Sequence, residues 1–302
     1  MKSSLMVLVL VVAGTACQPQ TPPLQTITGQ SIDVAPANTV STSPDGKLTP
    51  AIWALLQRCD FSSLLQTVRT GTARYNSHVQ NGFFGSNHYR IEMVLTEVRR
   101  DSVQPTVYYL RGKDRYQGVI TPFAGTVTIT HLFSQPRYSA QQIAEVKAEF
   151  GEELRNEADM YSALGDFELR EDKTRRGNGI FRGRLAIDWA LQKDGSVELS
   201  MRNGQAASQG GEIKYEGRWT SAATHRTRPV VWVENLVSYV ESQHVLDEFN
   251  IGEREVVINP KYAHLGWNTY WENDEWWADS ASAARPQSVA TSSAVPVHTI
   301  LK

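Results

Sequence analysis

The chain reads as a mainly β protein: a strongly curved antiparallel sheet or a closed barrel, carrying two helical segments. Three observations predict this. Apolar residues alternate with polar ones over most of the central sequence, as at Ile91, Met93 and Leu95, or Leu185, Ile187, Trp189 and Leu191; period two marks strands with one face buried and one wet. An aromatic residue stands two positions before a glycine at Tyr116 and Gly118, Phe123 and Gly125, Phe181 and Gly183, and Tyr215 and Gly217. Glycine weakens a strand unless the sheet bends or a neighbour covers the bare backbone, so its repetition predicts curvature. Turn chemistry separates the alternating runs, and a β-sandwich is the alternative arrangement of the same strands.

Before the first element, 18–47 is rich in Pro, Thr, Ser, Gln and Ala and has no aromatic residue. It holds too little apolar surface to offset the entropy of ordering. It reads as a tether with a reach of roughly 30 Å. Residues 280–302 have the same character, which leaves 48–279 as the globular domain. That domain opens on Leu48, Thr49 and Pro50: an apolar residue that can staple onto Trp53, an N-cap, and a proline suited to the first helical turn. Ile52, Leu55, Leu56 and Cys59 then share a helical face, and Asp60 can cap a further turn bearing Leu64, Leu65 and Val68.

Asn81 and Gly82 predict a tight hairpin turn. Strands follow at 91–95 and 127–129. A helical insertion is expected near 139–164, where Ser139 and Gln142 form a capping box and Ile143, Val146, Phe150, Leu154, Ala158 and Tyr161 recur at helical spacing up to Gly165. Further strands are marked by Val197, Leu199 and Met201, then Ile213, Tyr215 and Trp219. Between Leu191 and Val197 a three-residue loop keeps apolar opposite apolar, which predicts a type I turn with Gly195 left-handed. Closed up, these strands would make a barrel of lipocalin-like general shape, with the 139–164 helix inserted between two of them.

The leader MKSSLMVLVLVVAGTA has one lysine, an apolar run and then small residues, the layout of a secretory signal peptide. Its apolar run is about half the roughly 20 residues that a membrane span needs. Gly14, Thr15, Ala16 and Cys17 resemble the lipobox of bacterial exported lipoproteins, although that family usually carries a larger aliphatic where Gly14 stands. The resemblance implies cleavage before Cys17, acyl chains of the palmitate kind on that residue, and durable attachment to a membrane through an N-terminal lipid. Gln18 after the cysteine implies the outer membrane of the cell envelope. The alternative is ordinary cleavage after Ala16, giving a soluble secreted or periplasmic protein.

Charge and motifs bound the chemistry. Lys and Arg total 30 against 32 Asp and Glu, so no overall field draws the protein to nucleic acid. With only Cys17 and Cys59 present, lipidation of the first leaves the second without an intrachain partner. Cys59, on an apolar helix face, reads as an inert small hydrophobe. The sequence has no GxSxG elbow, HExxH helix, P-loop, paired CxxC or calcium loop, and its seven histidines are scattered. No catalytic residue, metal or cofactor is therefore assigned, and His78, His88 and His264 read as polar or structural.

Two surface features are candidate binding sites. Trp267, Tyr270, Trp271, Trp276 and Trp277, interleaved with Glu272, Asp274 and Glu275, suit a glycan ring that offers apolar faces and hydroxyls together. Packing under the C-terminal segment is the structural alternative. Arg175, Arg176, Arg182, Arg184 and Arg218, with Lys173 beside them, form a candidate patch for an anionic partner such as a phosphorylated headgroup. A non-catalytic lipoprotein that binds a ligand or an envelope partner, or serves structurally, is the reading these features favour. A glycan-acting hydrolase using the carboxylates of the Trp-rich segment is the alternative.

Overall fold

The computed structural model describes residues 42, 44–68, 79–151, 158–200, 206–242, 245–246, 260–270 and 275–278. All of them belong to one compact unit, 39–302. Cys17, His78 and Trp271 lie outside the described residues, as do Glu272 and Asp274.

The expectation of a curved sheet is met by full closure. The strands are β1 (Gln80–Phe84), β2 (Tyr89–Arg100), β3 (Val107–Tyr116), β4 (Val119–Ser134), β5 (Asp159–Glu171), β6 (Gly179–Leu191), β7 (Val197–Leu199), β8 (Ile213–Ser221) and β9 (Thr227–Val233). Each pairs antiparallel with its neighbours, β5 joins β6, and β9 returns to β1. β7 pairs only with the end of β6, so the other strands form a closed up-and-down barrel, one sheet rather than the two of a sandwich. Closure removes unpaired edges. Bulges between Leu95 and Glu97 in β2 and between Ile129 and His131 in β4 bend these two strands.

The glycines of the repeated pattern show how tight the bend is. Gly183 and Gly217 face each other across β6 and β8, and a Cβ on Gly183 would lie 2.1 Å from the Glu216 carbonyl oxygen. A Cβ on Gly125 would lie 1.9 Å from that of Glu168. Neighbouring backbone fills the space a side chain would need. Aromatic cover comes from the adjacent strand: Phe123 lies over Gly112 and Trp219 over Gly179. Gly118 departs from the pattern, since it sits in the β3–β4 turn with φ +75°.

One end of the barrel is plugged. α1 (Pro50–Arg58) starts at Thr49, whose hydroxyl accepts from the Ile52 N–H, and buries Ile52, Leu55 and Leu56. Arg100 donates to the Leu56 and Cys59 carbonyls, closing the helix end. After it, α2 (Ser62–Leu65) buries Leu65, and the Asp60 carboxylate accepts from the Ser62 N–H. Phe61 wedges against Tyr108 and Trp189, with ring centroids 6.1 and 5.1 Å away. Above this plug, Phe167, Phe181, Tyr215 and Trp232 fill the waist, Tyr215 and Trp232 stacked at 4.9 Å. An eight-stranded barrel has an interior that side chains can fill or that holds one small ligand; here the filling stops short of the far end.

An outer layer covers β1 and β9. Phe83 and Val233 pack with Leu236 and Tyr239, and with Leu265 and Trp267, which follow a short helix (Pro260–Ala263).

Two expectations are corrected and one is met in detail. Asn81 and Gly82 lie inside β1, not in a turn, because the Val231 oxygen and the Trp232 backbone occupy the place of a Gly82 side chain. The turn falls at Gly85 instead, with φ +80°. The 139–164 helix is shorter: α3 (Ala140–Phe150) has the capping box but ends at left-handed Gly151, and Asp159 onward is β5. Tyr161, Ala163 and Phe167 find buried places in the barrel, and that packing outweighs helical spacing. The loop after Leu191 is as expected, with Leu191 opposite Val197, Trp189 opposite Leu199 and Gly195 at φ +85°.

Candidate functional site

The unfilled end of the barrel is its mouth, ringed by four turns: 85–88, 117–118, 172–178 and 222–226. Alternation carries the core stripe of each strand up to this rim. On β3 the inward series is Tyr108, Leu110, Gly112, then Asp114 and Tyr116; on β5 it is Phe167, Leu169, then Glu171. Where the core pattern calls for apolar residues, two carboxylates stand. Asp114 pairs with Thr121 on β4, and Glu171 pairs with Phe123 on that strand, so β4 brings them to the same depth. Together with Phe84, Tyr116, Phe181 and Trp219 they line a cavity of about 230 Å³.

The acids are deeply buried, Asp114 at 2% and Glu171 at 8% exposure. Glu171 accepts from the Trp219 indole N–H at 2.8 Å and from the Gly179 N–H. Asp114 Oδ2 finds no donor among the described residues. The two carboxyls line the same pocket as interacting neighbours, and two ionised carboxylates offer only acceptors, so a bond between them needs a proton. Burial, and then the negative charge of Glu171, holds Asp114 well above the usual carboxylate range. Burial also raises Glu171, an effect that the Trp219 and Gly179 donors oppose. Glu171 has the Trp219 donor to hold a charge and Asp114 Oδ2 has none, so a proton between them is better placed on Asp114.

Cations and aromatic planes complete the rim. Arg228 donates to the Tyr116 hydroxyl at 3.2 Å and lies over the Phe84 ring at 5.6 Å. Phe84 in turn touches Tyr116 and Trp219, at 4.4 and 5.5 Å between centroids. Arg176 comes from the 172–178 turn, which is built by its own polar contacts: Asp172 accepts from Thr174, and the Asn178 amide donates to the Arg175 carbonyl. The Ala222 N–H donates to the Asn178 carbonyl, tying this turn to the one between β8 and β9. Neither Arg176 nor Arg228 forms an ion pair among the described residues. The arrangement is a preformed, aromatic-walled pocket with acid at its floor and guanidinium at its lip.

The predicted aromatic site lies elsewhere, on the outer wall of β1–β3. Trp267 is buried, its indole donating to the His88 carbonyl at 2.9 Å. Arg90 lies over Tyr270 at 5.5 Å and Arg115 over Trp276 at 5.0 Å, while the buried Trp277 gives its carbonyl to Lys113. Arg90 and Arg115 meet on the buried Glu92, at 2.9 and 2.7 Å. The described aromatics thus roof a buried ion triad. Of the three carboxylates of that segment only Glu275, half-buried, is among the described residues.

The arginine patch divides between two faces. Arg182, Arg184 and Arg218 are exposed on the outer wall, where Arg182 pairs with Glu168 at 2.6 Å and Arg184 stands opposite Asp166 and Glu216. Arg175 and Lys173 are exposed on the turn, and Arg176 alone lines the mouth. His88 packs edge-on against Phe83, and His264 is exposed. Cys59 is buried, and burial raises its thiol, which suits an inert hydrophobe.

Asp114, Glu171, Trp219 and Arg228 were not singled out as a site by sequence. Their signal is a charge occurring in register with a core stripe, legible once β3 and β5 are recognised as strands. No family model, curated protein or solved structure matches the chain.

Proposed function

We propose that this chain is a lipid-anchored protein of the bacterial cell envelope whose barrel binds one small ligand at its mouth and does not transform it. The observation that carries the binding reading is the pair of buried carboxyls, Asp114 and Glu171, beneath aromatic walls in a pocket that the rest of the core leaves open. Burying two acids is costly, and a site that keeps them is a candidate for recognition. The anchor rests on the lipobox-like residues ending at Cys17.

A thermal-shift screen of small sugars, monocarboxylates and amino acids against the full chain tests binding. A ligand at 100 times its Kd should stabilise the protein by about 2.7 kcal/mol. Trp219→Ala and Glu171→Gln should abolish the shift while leaving a cooperative unfolding transition. A screen without any hit, or hits that survive both substitutions, would remove the mouth as the site. For the anchor, Cys17→Ser should move the protein from the membrane to the soluble fraction, and intact mass should show acyl chains on the wild-type terminus.

A further inference from the structure

The mouth is polarised by depth. Its two acids sit at the floor, where little solvent reaches, while its two arginines stand exposed at the lip. Resting on the ligand-binding reading above, we propose that the ligand is a small zwitterion: its ammonium group seats between Asp114 and Glu171, its carboxylate meets Arg176 and Arg228, and its apolar body lies against Trp219.

The floor supplies the first half of the argument. Asp114 and Glu171 line one pocket as buried neighbours, yet as carboxylates they have nothing to donate to each other, and Asp114 Oδ2 has no donor from the described residues. A proton fills that need in the empty pocket. An ammonium carries three N–H donors and can satisfy both acids at once, which a hydroxyl with its single donor cannot. Seating it follows a balanced exchange: the ligand enters with its cation, the shared proton leaves to solvent, and no covalent bond changes in the ligand. Both acids are then ionised around the ammonium.

The lip supplies the second half. Arg228 spends one N–H on the Tyr116 hydroxyl, and Arg176 makes no ion pair among the described residues. Their guanidinium forks remain available to a carboxylate, the geometry they match best. A ligand with a cation alone must pass two arginines and leave them unpaired. An anion alone is anchored at the lip but leaves the acid floor unanswered. Only a dipolar ligand answers both ends. The volume of about 230 Å³ keeps the body between them small, since drug-sized sites begin at about 300 Å³. Trp219 is held for it in advance by the bond to Glu171.

The titratable and charged groups facing the floor are Glu171 from β5, Tyr116 from β3, Arg176 from the 172–178 turn and Arg228 from β9. The probes are the common free L-amino acids, followed by the N-acetyl and C-terminal amide forms of those that bind. Calorimetry at pH 7 on the full chain, in two buffers of different ionisation enthalpy, reads affinity and proton count together. At least one free amino acid should bind with release of about one proton. Each blocked form should bind at least tenfold more weakly, as should Arg176→Gln and Arg228→Gln with the free form. Asp114→Asn, which can still donate to Glu171 and so keeps the floor satisfied, should bind weakly and release no proton.

The zwitterion is overturned if no free amino acid binds, or if acetylation and amidation leave affinity unchanged. Should neutral sugars or simple monocarboxylates bind instead, with loss in Trp219→Ala, the mouth remains a ligand site of another class. Silence from every compound would remove both readings.

Discussion

Asp114 shows how one residue's chemistry is made by its surroundings. In an unfolded chain its pKa would be about 3.9, whereas in the barrel burial and Glu171 hold it well above that. The folded state therefore binds a proton that the unfolded state has released. Stability from this group is greatest below the unfolded value and falls as pH rises toward the folded one, by at most about 1.4 kcal/mol per pH unit. Urea midpoints across pH 4–8 should show that decline in wild type and a shallower one in Asp114→Asn, Glu171 supplying the remainder. An identical slope in the two proteins would place the shared proton elsewhere. At the waist, the Tyr215 hydroxyl is fully buried with no partner among the described residues. Tyr215→Phe should change stability by less than about 1 kcal/mol, while Trp232→Ala, which empties the same layer, should cost about 3–5 kcal/mol.

At the level of elements, the glycines and the helix caps make opposite predictions. Gly183 has backbone where its Cβ would go, so Gly183→Ala must force β6 and β8 apart. A loss of about 1–3 kcal/mol by equilibrium denaturation is expected. Gly151→Ala meets nothing within 4 Å and suffers only from its left-handed backbone, at about 1–2 kcal/mol. That cost should stay local, because α3 buries none of its residues. Amide exchange should quicken along α3 in Gly151→Ala, and in Ser139→Ala, with little movement of the global melting temperature. Coupled global unfolding would mean that α3 docks more firmly than its exposure implies. These elements also show where sequence reading succeeds: Thr49, Ser139 and Gly195 act within a few residues of themselves, so cap and turn chemistry is local and legible. Gly82 and Tyr161 misled it because what surrounds them belongs to β9 and β6.

For the whole molecule, the barrel has an inner core and an outer layer held by different means. Inside, aromatic and aliphatic side chains fill a closed ring from the plugged end to the waist. Outside, Trp267 anchors the C-terminal segment over Phe83 and Val233, and Trp267→Ala should cost about 3–5 kcal/mol; its indole bonds the His88 carbonyl in the 85–88 turn, but Trp267 does not line the pocket. Ligand-induced thermal shifts should therefore persist in that variant. Their loss would tie the outer layer to the site.

What the sequence alone determined is the local half of this structure: period two for strands, caps and turns where they fall, and curvature from repeated glycines. A carboxylate interrupting the apolar stripe at Asp114 or Glu171 was visible too, once each strand's face is known. Only the tertiary structure decided that the sheet closes, that β3 and β5 flank β4 at the rim, and that two acids distant in the chain come into one buried pocket beside Trp219. The physical reason is that alternation specifies which way a side chain faces, while its energy is set by neighbours that arrive from other strands.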